Sequence, residues 1–285
     1  MTHETQTQPA ARRQLGCGDW RHFAQSEWWR SLECAKESVL MLDYDGTLAP
    51  FVGQRMEAKL YAGVSERLIR LEHMPGVRLA ILSGRPVNEL SRLLPQEWNA
   101  ELWGSHGRER LRFNGCYETF PPNPVQSRYV GEFEKLMIME GYASVLEHKL
   151  ASLALHTRGL DPSDTNKIYE LAHTCYQSIA NADHSAGLEW LSFDGGIEIR
   201  GTGRTKGDAV AAILAECPFD VPVAYLGDDQ TDEDAFRMLQ NRQNAPSVLV
   251  RSELKETSAK WWIVPPQELL AFFDRYLEAR GRAEQ

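Results

Sequence analysis

Several things are missing from this sequence, and each absence narrows what the chain can be. No apolar run approaches the length of a membrane span, which leaves no candidate transmembrane helix. The cysteines are few and odd in number: Cys17, Cys34, Cys116, Cys175 and Cys217 stand far apart. They show neither paired metal-ligand spacing nor a disulfide framework, and read as buried or free thiols of a reducing compartment. Positive charge is not in excess. The formal net charge is −9, which disfavours a nucleic-acid partner, because such partners demand a basic surface. There is no internal repeat and no low-complexity tract, and Met1 to Gln14 is polar without an apolar signal core. The cytoplasm is the expected location. What remains is a chain of ordinary soluble composition, 285 residues long, enough for one large or two modest domains.

The most informative stretch is Val39-Leu40-Met41-Leu42-Asp43-Tyr44-Asp45-Gly46-Thr47-Leu48. A short apolar run bounded by turn residues reads as a buried parallel strand, and open α/β sheets bind ligands at the carboxyl ends of such strands. Period-2 alternation sends Asp43 and Asp45 the same way, so they can share a site. Two close carboxylates repel unless a metal or a proton resolves the conflict. One would then act as nucleophile and metal ligand, the other as proton carrier.

Three further signals follow. Val77 to Leu82 leads into Ser83-Gly84-Arg85. Read alone this is an ordinary turn, but a hydroxyl, backbone N–H groups and a guanidinium there can hold phosphate oxygens. Arg204-Thr205-Lys206-Gly207-Asp208 opens an apolar-periodic helix, with Thr205 and Asp208 fitting a capping box. Lys206 then lies at a helix start, where the macrodipole disfavours a cation, so a nearby anion explains it better. Finally, the strand Val223 to Leu226 ends in Gly227-Asp228-Asp229-Gln230-Thr231-Asp232-Glu233-Asp234, a turn expected to be capped by Thr231. Asp228 and Asp232 offer the hard oxygen ligands that suit Mg²⁺. An acidic first helical turn explains Glu233 and Asp234, but not Gly-Asp-Asp at the strand end.

In this order the four pieces resemble the haloacid dehalogenase superfamily of phosphotransferases, over most of residues 36 to 270. Within it the chain looks like the trehalose-6-phosphate phosphatase family. The resemblance also rests on Gly104-Ser105-His106-Gly107-Arg108-Glu109, Glu147-His148-Lys149 with His156-Thr157-Arg158, and Glu198-Ile199-Arg200. It implies an α/β fold: a Rossmann-like parallel-sheet core with an inserted smaller α/β cap domain. The organisation of the chain is compatible. Residues 1–18 read as a flexible tail, 19–119 as the first part of the core, 120–199 as the cap and 200–285 as the second part of the core. Pro121, Pro122 and Pro124 mark the first boundary. In the cap, helices are expected over Tyr129 to Gly141 and Asp164 to Asn181, with strand-like runs within 144–158 and a hairpin over 187–200. Trp28 and Trp29 read as core packing.

The resemblance implies a Mg²⁺-dependent phosphatase acting on a small sugar phosphate. The metal would lie between Asp43, the main-chain carbonyl of Asp45 and Asp228, with Asp232 supporting it directly or through water. Asp43 would form an aspartyl-phosphate, Asp45 would serve as acid and then base, and Ser83 and Lys206 would hold the phosphoryl oxygens, with Arg85 adding charge. Glu147, Lys149, Arg158 and Glu198 are the candidates for glucose hydroxyls. His106 either touches substrate or satisfies its loop, and His148 and His156 are expected to be structural. Cap closure would exclude water. Ser105, His148, Leu150 and Thr205 depart from the usual family pattern. They leave a glucosyl polyol phosphate, such as glucosylglycerol phosphate, as an alternative substrate. A non-catalytic regulatory subunit is disfavoured because Asp43, Asp45, Ser83, Lys206 and Asp228 are all present. A functional link to a glycosyl-phosphate synthase is the one macromolecular relationship this suggests.

Overall fold

The computed structural model describes residues 17–283 apart from 96, 97, 99, 184, 185 and 194. The tail expected over 1–18 lies, as far as residue 16, outside the described residues. The chain divides into two units, one running to Tyr117 and resuming at Thr205, the other spanning Glu118–Arg204. The second unit extends a few residues beyond each end of the 120–199 segment expected to form a cap. Thr202 still hydrogen-bonds within the second unit, to Gly187 O at 2.7 Å, and the Arg204 guanidinium lies 3.6 Å over the Phe120 ring.

In chain order the first unit begins with β1 (Gly18–Asp19), α1 (Trp20–Phe23), α2 (Trp28–Cys34), β2 (Ser38–Asp43), α3 (Val64–Glu72), β3 (Val77–Leu82), α4 (Val87–Leu93), β4 (Glu101–Gly104) and β5 (Glu109–Leu111), and β6 (Tyr117–Thr119) straddles the boundary. The second unit holds α5 (Pro124–Met139), β7 (Leu146–His148), β8 (Ser152–His156), α6 (Pro162–Ala182), β9 (Leu188–Phe193) and β10 (Gly196–Gly201). The first then resumes with α7 (Lys206–Ala215), β11 (Val223–Gly227), α8 (Glu233–Leu239), β12 (Ser247–Val250), β13 (Trp261–Ile263) and α9 (Gln267–Ala283).

The large sheet runs β1-β13-β12-β11-β2-β3-β4-β5-β6, with the unit boundary inside β6. Strands β1 to β4 and β11 to β13 pair in parallel, and β5 joins β4 antiparallel. β2 is buried along its whole length, as an apolar run covered on both faces should be. From β2 the chain moves outward through β3 and β4, whereas β11, β12 and β13 fill the other side. The order therefore reverses between β2 and β11, and the crevice beyond their carboxyl ends is where such a sheet binds ligands. Asp43 ends β2 and Asp228 follows β11.

One face of this sheet is sealed by aromatics of α1, α2 and α9. Phe23 stacks on Trp261 at 5.0 Å and Trp28 on Phe272 at 6.3 Å. The Trp29 indole N–H donates to Phe23 O at 2.8 Å, so its polar edge is satisfied in the core. Buried Arg280 of α9 donates to the carbonyls of Ala35, Lys36 and Pro75, closing the end of α2.

The second unit is a four-stranded antiparallel sheet, β7-β8-β10-β9. Leu153, Leu155, Ile197 and Ile199 face α5 and α6, where they meet Val130, Phe133, Met137 and Ile168. α5 begins five residues before the expected Tyr129, because Pro124 occupies its first turn and Asn123 caps it with Gln126 in a capping box. Proline lacks only an N–H that the first turn leaves unpaired, so it can start a helix as well as mark a boundary. No helix among the described residues is long and apolar enough to cross a membrane.

Candidate active site

The site begins where β2 stops. Asp43 is buried, and each of its carboxylate oxygens has a donor: Lys206 Nζ reaches Oδ1 at 2.7 Å and Thr47 Oγ1 reaches Oδ2 at 3.0 Å. Lys206 also donates to Asp232 Oδ1 at 2.7 Å. It stands at the first position of α7, with Thr205 and Asp208 forming the capping box. Two anions thus account for a cation at a helix start.

Asp232 is fully buried and accepts four hydrogen bonds. Tyr225 Oη and Lys206 Nζ donate to Oδ1, and the backbone N–H groups of Asp228 and Asp229 donate to Oδ2 at 3.1 and 3.0 Å. The cap expected from Thr231 is instead made by Asp229 in a capping box with Asp232, whose carboxylate reaches back to the Asp229 N–H, while Thr231 sits inside that turn. Thr47 and Tyr225 carry no role in the sequence reading. The i+4 spacing of Thr47 from Asp43 and the lone phenol in an otherwise aliphatic strand were the available signals.

Asp43, Asp228 and Asp232 bring carboxylate oxygens within 4.8 Å of one another, all buried. Burial pushes Asp43 up to about 7; Lys206 opposes this and Asp232 adds to it. Burial also raises Asp228 well above the usual carboxylate range, with Asp43 and Asp232 reinforcing it. Burial acts the same way on Asp232, but the Lys206 ammonium and the other donors outweigh it and hold this carboxyl low. One ammonium cannot balance three carboxylates in a dry site. Asp228 in particular is 3% exposed, yet no donor hydrogen-bonds its carboxylate among the described residues, and the nearest cation, Arg251, is 3.9 Å away. A buried, donor-poor carboxylate beside Asp43 fits a hard divalent cation, and an all-oxygen donor set suits Mg²⁺.

Asp45 does not join this cluster. β2 ends at Asp43, so strand alternation no longer governs the residues after it. The Asp45 carboxylate is gripped bidentately by Arg85, Nε to Oδ2 and Nη2 to Oδ1, both at 2.6 Å. Arg85, expected to meet phosphate, is thus a buried partner of the second aspartate. Its N–H donates to Ser83 Oγ at 3.1 Å, which leaves the serine O–H able to donate elsewhere.

His106 closes the same corner. Ser105 and His106 both have positive φ, 48° and 55°, a conformation that costs non-glycine residues about 1 kcal/mol or more each. Hydrogen bonds from Ser105 N to Arg85 O and from His106 N to Ser83 O hold it, as does buried Glu109, which accepts from Ser105 Oγ at 2.5 Å. The imidazole lies over Gly84, where a Cβ would come within 2.7 Å of it.

In the second unit the strand registers decide which residues share a face. Glu147 pairs with Ala154, Ala154 with Glu198 and Glu198 with Leu191. One step along, Ser152 pairs with Arg200 and Arg200 with Glu189. By alternation these residues lie on the face opposite the helices. Lys149 Nζ donates to Glu198 Oε2 at 2.8 Å and Ser152 Oγ to Oε1, all buried. Glu147 pairs with His156 at 2.7 Å and His148 with Glu134 at 3.0 Å. Arg158 is exposed just after β8, with its backbone N–H on Gly195 O. The result is a sheet face carrying both signs of charge around a small residue, Ala154. Ser152 was not foreseen; its shared parity with Ala154 was the only clue.

Solved structures with this fold include a haloacid dehalogenase-like hydrolase from Bacteroides thetaiotaomicron, with a TM-score of 0.56 at 15% identity, covering 84% of this chain and 99% of that one. The fold is that of the haloacid dehalogenase class of hydrolases, with a parallel-sheet core. The C-terminal domain of trehalose-6-phosphate phosphatase from C. albicans superposes with a TM-score of 0.73 at 22% identity, over 88% of this chain and 95% of that domain. In sequence, trehalose 6-phosphate phosphatase RA3 of Zea mays is 29% identical over an alignment of 294 positions, gaps included, that covers 93% of this chain and 78% of the maize protein. Residues 41–263 match the trehalose-phosphatase family, and the chain belongs to it. It is accordingly a phosphoric monoester hydrolase.

Proposed function

We propose that the protein hydrolyses trehalose 6-phosphate to trehalose and phosphate, through an aspartyl-phosphate on Asp43. The observation that carries this reading is the Lys206 bridge between Asp43 and Asp232, which fixes a carboxylate oxygen at the end of β2. Thr47 on the second oxygen further limits rotation of the carboxylate. An Asp43 oxygen attacks phosphorus as the bond to the sugar oxygen breaks, and that oxygen takes a proton from Asp45. Asp45 then takes a proton from the water that attacks the aspartyl-phosphate, which releases phosphate and restores Asp43. Lys206 and the Ser83 hydroxyl donate to the phosphoryl oxygens, where charge spreads in the transition state.

Asp43, Asp228 and the main-chain carbonyl of Asp45 are the groups we assign to Mg²⁺, which when bound offsets carboxylate and phosphate charge. The mixed-charge sheet face of the second unit, with Glu147, Lys149 and Glu198, and Arg158 beside it, suits sugar hydroxyls, since carboxylates accept from them and cations donate. We place the activity in the cytoplasm, in keeping with five free cysteines. It would act after a synthase that makes a glucosyl sugar phosphate. The maize protein and the C. albicans domain carry trehalose-phosphatase names, which supports this substrate over glucosylglycerol phosphate.

The test is phosphate release from trehalose 6-phosphate, glucosylglycerol phosphate, sucrose 6-phosphate, glucose 6-phosphate and an aryl phosphate, each with Mg²⁺ and with chelator. We expect a strong, Mg²⁺-dependent preference for the first, and a folded but inactive Asp43→Asn variant. Turnover by that variant close to wild type would sink the assignment of Asp43. Preference for another sugar phosphate would move the substrate while keeping the chemistry.

A further inference from the structure

Tyr225 takes no part in the steps above, yet it lies one carboxylate away from the lysine that does. It sits mid-strand in β11, fully buried, and its ring meets Phe236 of α8 edge-on at 5.7 Å. Its hydroxyl donates to Asp232 Oδ1, the oxygen that also accepts Lys206 Nζ. With two backbone N–H groups on Oδ2, the roughly four lone-pair sites of the Asp232 carboxylate are all occupied. Asp43, by contrast, has one donor on each oxygen, and the Asp228 carboxylate is offered only a distant guanidinium.

The consequence falls on Lys206. An ammonium has three N–H groups. Two of them go to Asp43 Oδ1 and Asp232 Oδ1, and the third has no partner among the described residues. Two acceptors fix the direction of the third N–H, so the aim of Lys206 is only as firm as the position of Asp232 Oδ1. The Oδ2 edge of that carboxylate is anchored by backbone. The Oδ1 edge is anchored against the pull of Lys206 by one group, the Tyr225 phenol.

We propose that Tyr225 is a positioning residue for phosphoryl transfer: its hydroxyl fixes Asp232 Oδ1 and thereby points the third N–H of Lys206 at the phosphoryl oxygens. Asp232 on this account orients Lys206 and is not a direct metal ligand. The inference rests on the roles given above to Asp43 and Lys206.

Tyr225→Phe removes one O–H and keeps the ring against Phe236. Its kcat, its affinity for orthovanadate in the presence of Mg²⁺, its Mg²⁺ affinity by calorimetry and its thermal midpoint are measured beside wild type. We expect kcat and vanadate affinity each to fall roughly 10- to 100-fold while Mg²⁺ affinity holds within about two-fold. Asp232→Asn, which keeps the side-chain shape, should show the same split. A folded Tyr225→Phe protein with wild-type kcat and vanadate affinity would overturn the proposal. So would a loss of Mg²⁺ affinity in Asp232→Asn equal to that in Asp228→Asn, since Asp232 would then be a ligand. A wild-type protein lacking Mg²⁺-dependent phosphatase activity would instead overturn the underlying reading, so the two failures are distinct.

Discussion

Both oxygens of Asp45 are held by Arg85, at 2.6 Å each, with the guanidinium buried beside the Tyr44 ring. A carboxylate proposed to give and take a proton is thus fixed in direction but occupied, and on that proposal it has to release one of these bonds to reach a leaving oxygen. Lysine cannot reproduce a planar two-bond grip. Arg85→Lys should therefore lower kcat on the sugar phosphate by about 10²-fold, within the range that positioned proton transfer contributes. An aryl phosphate, whose leaving group needs no proton, should keep its phosphorylation burst in rapid-quench measurements. Equal losses in the two bursts would show that Arg85 acts on the phosphate and not through Asp45.

The parts of the site that were legible in the sequence are those written locally. Asp43 and Asp228 close apolar strands, and Lys206 follows a helix cap, so strand ends and capping rules locate them without a structure. The pairing of Arg85 with Asp45 bridges 40 positions, and nothing in either local segment records it. Thr231 obeys capping preferences, but the turn starts two residues earlier, at Asp229, because the buried Asp232 carboxylate three positions on holds the Asp228 and Asp229 N–H groups at once. The strands of the second unit were visible from periodicity. Which of their residues share a face with Glu198 depends on register, and register is set by tertiary pairing.

Gly46 has a φ of +87°, and a Cβ there would lie 2.2 Å from Asp228 Oδ2. Gly46→Ala therefore does two things. It strains the backbone by about 1–2 kcal/mol, and it pushes Asp228 from its place beside Asp43. Gly115, with a φ of +80° and open space around it, offers a matched control. Both alanine variants should lose stability in thermal or urea unfolding, Gly46→Ala the more because of its clash, but only Gly46→Ala should lose Mg²⁺ affinity, by about 10-fold or more. Similar Mg²⁺ binding by the two variants would count against Asp228 as a ligand.

Glu216, just past α7, accepts from Arg78, Arg110 and Arg112. The Arg110 hydrogen bonds, working against burial and helped by Arg78 and Arg112, hold its carboxyl down to about 2, against an ordinary 4.5. Because the folded-state value is the lower one, this stabilisation is fully present above about pH 4.5 and is lost as pH falls towards 2. The side chain is 34% exposed, so solvent screening reduces the contribution to about 1–2 kcal/mol. Urea unfolding of Glu216→Gln should fall short of wild type by that amount at pH 7, and the gap should narrow steadily below pH 4.5. A gap that stays constant from pH 7 to pH 3 would assign the loss to packing instead of charge.

Metal binding should be linked to protons. Burial holds Asp43 at about 7 and lifts Asp228 well above the usual range, whereas a divalent cation needs both carboxylates ionised. Near neutral pH, Mg²⁺ must therefore displace protons, and its apparent affinity should weaken by up to about 10-fold per displaced proton for each pH unit below 7. Above that pH the dependence due to Asp43 should flatten. Calorimetry at pH 6.5 in two buffers of different ionisation enthalpy counts the protons directly, and we expect net release. Asp43→Asn should release fewer protons than wild type while retaining weak binding through Asp228. If wild type and Asp43→Asn release the same number, the titrating group is not Asp43, and the displaced proton would have to be reassigned to Asp228.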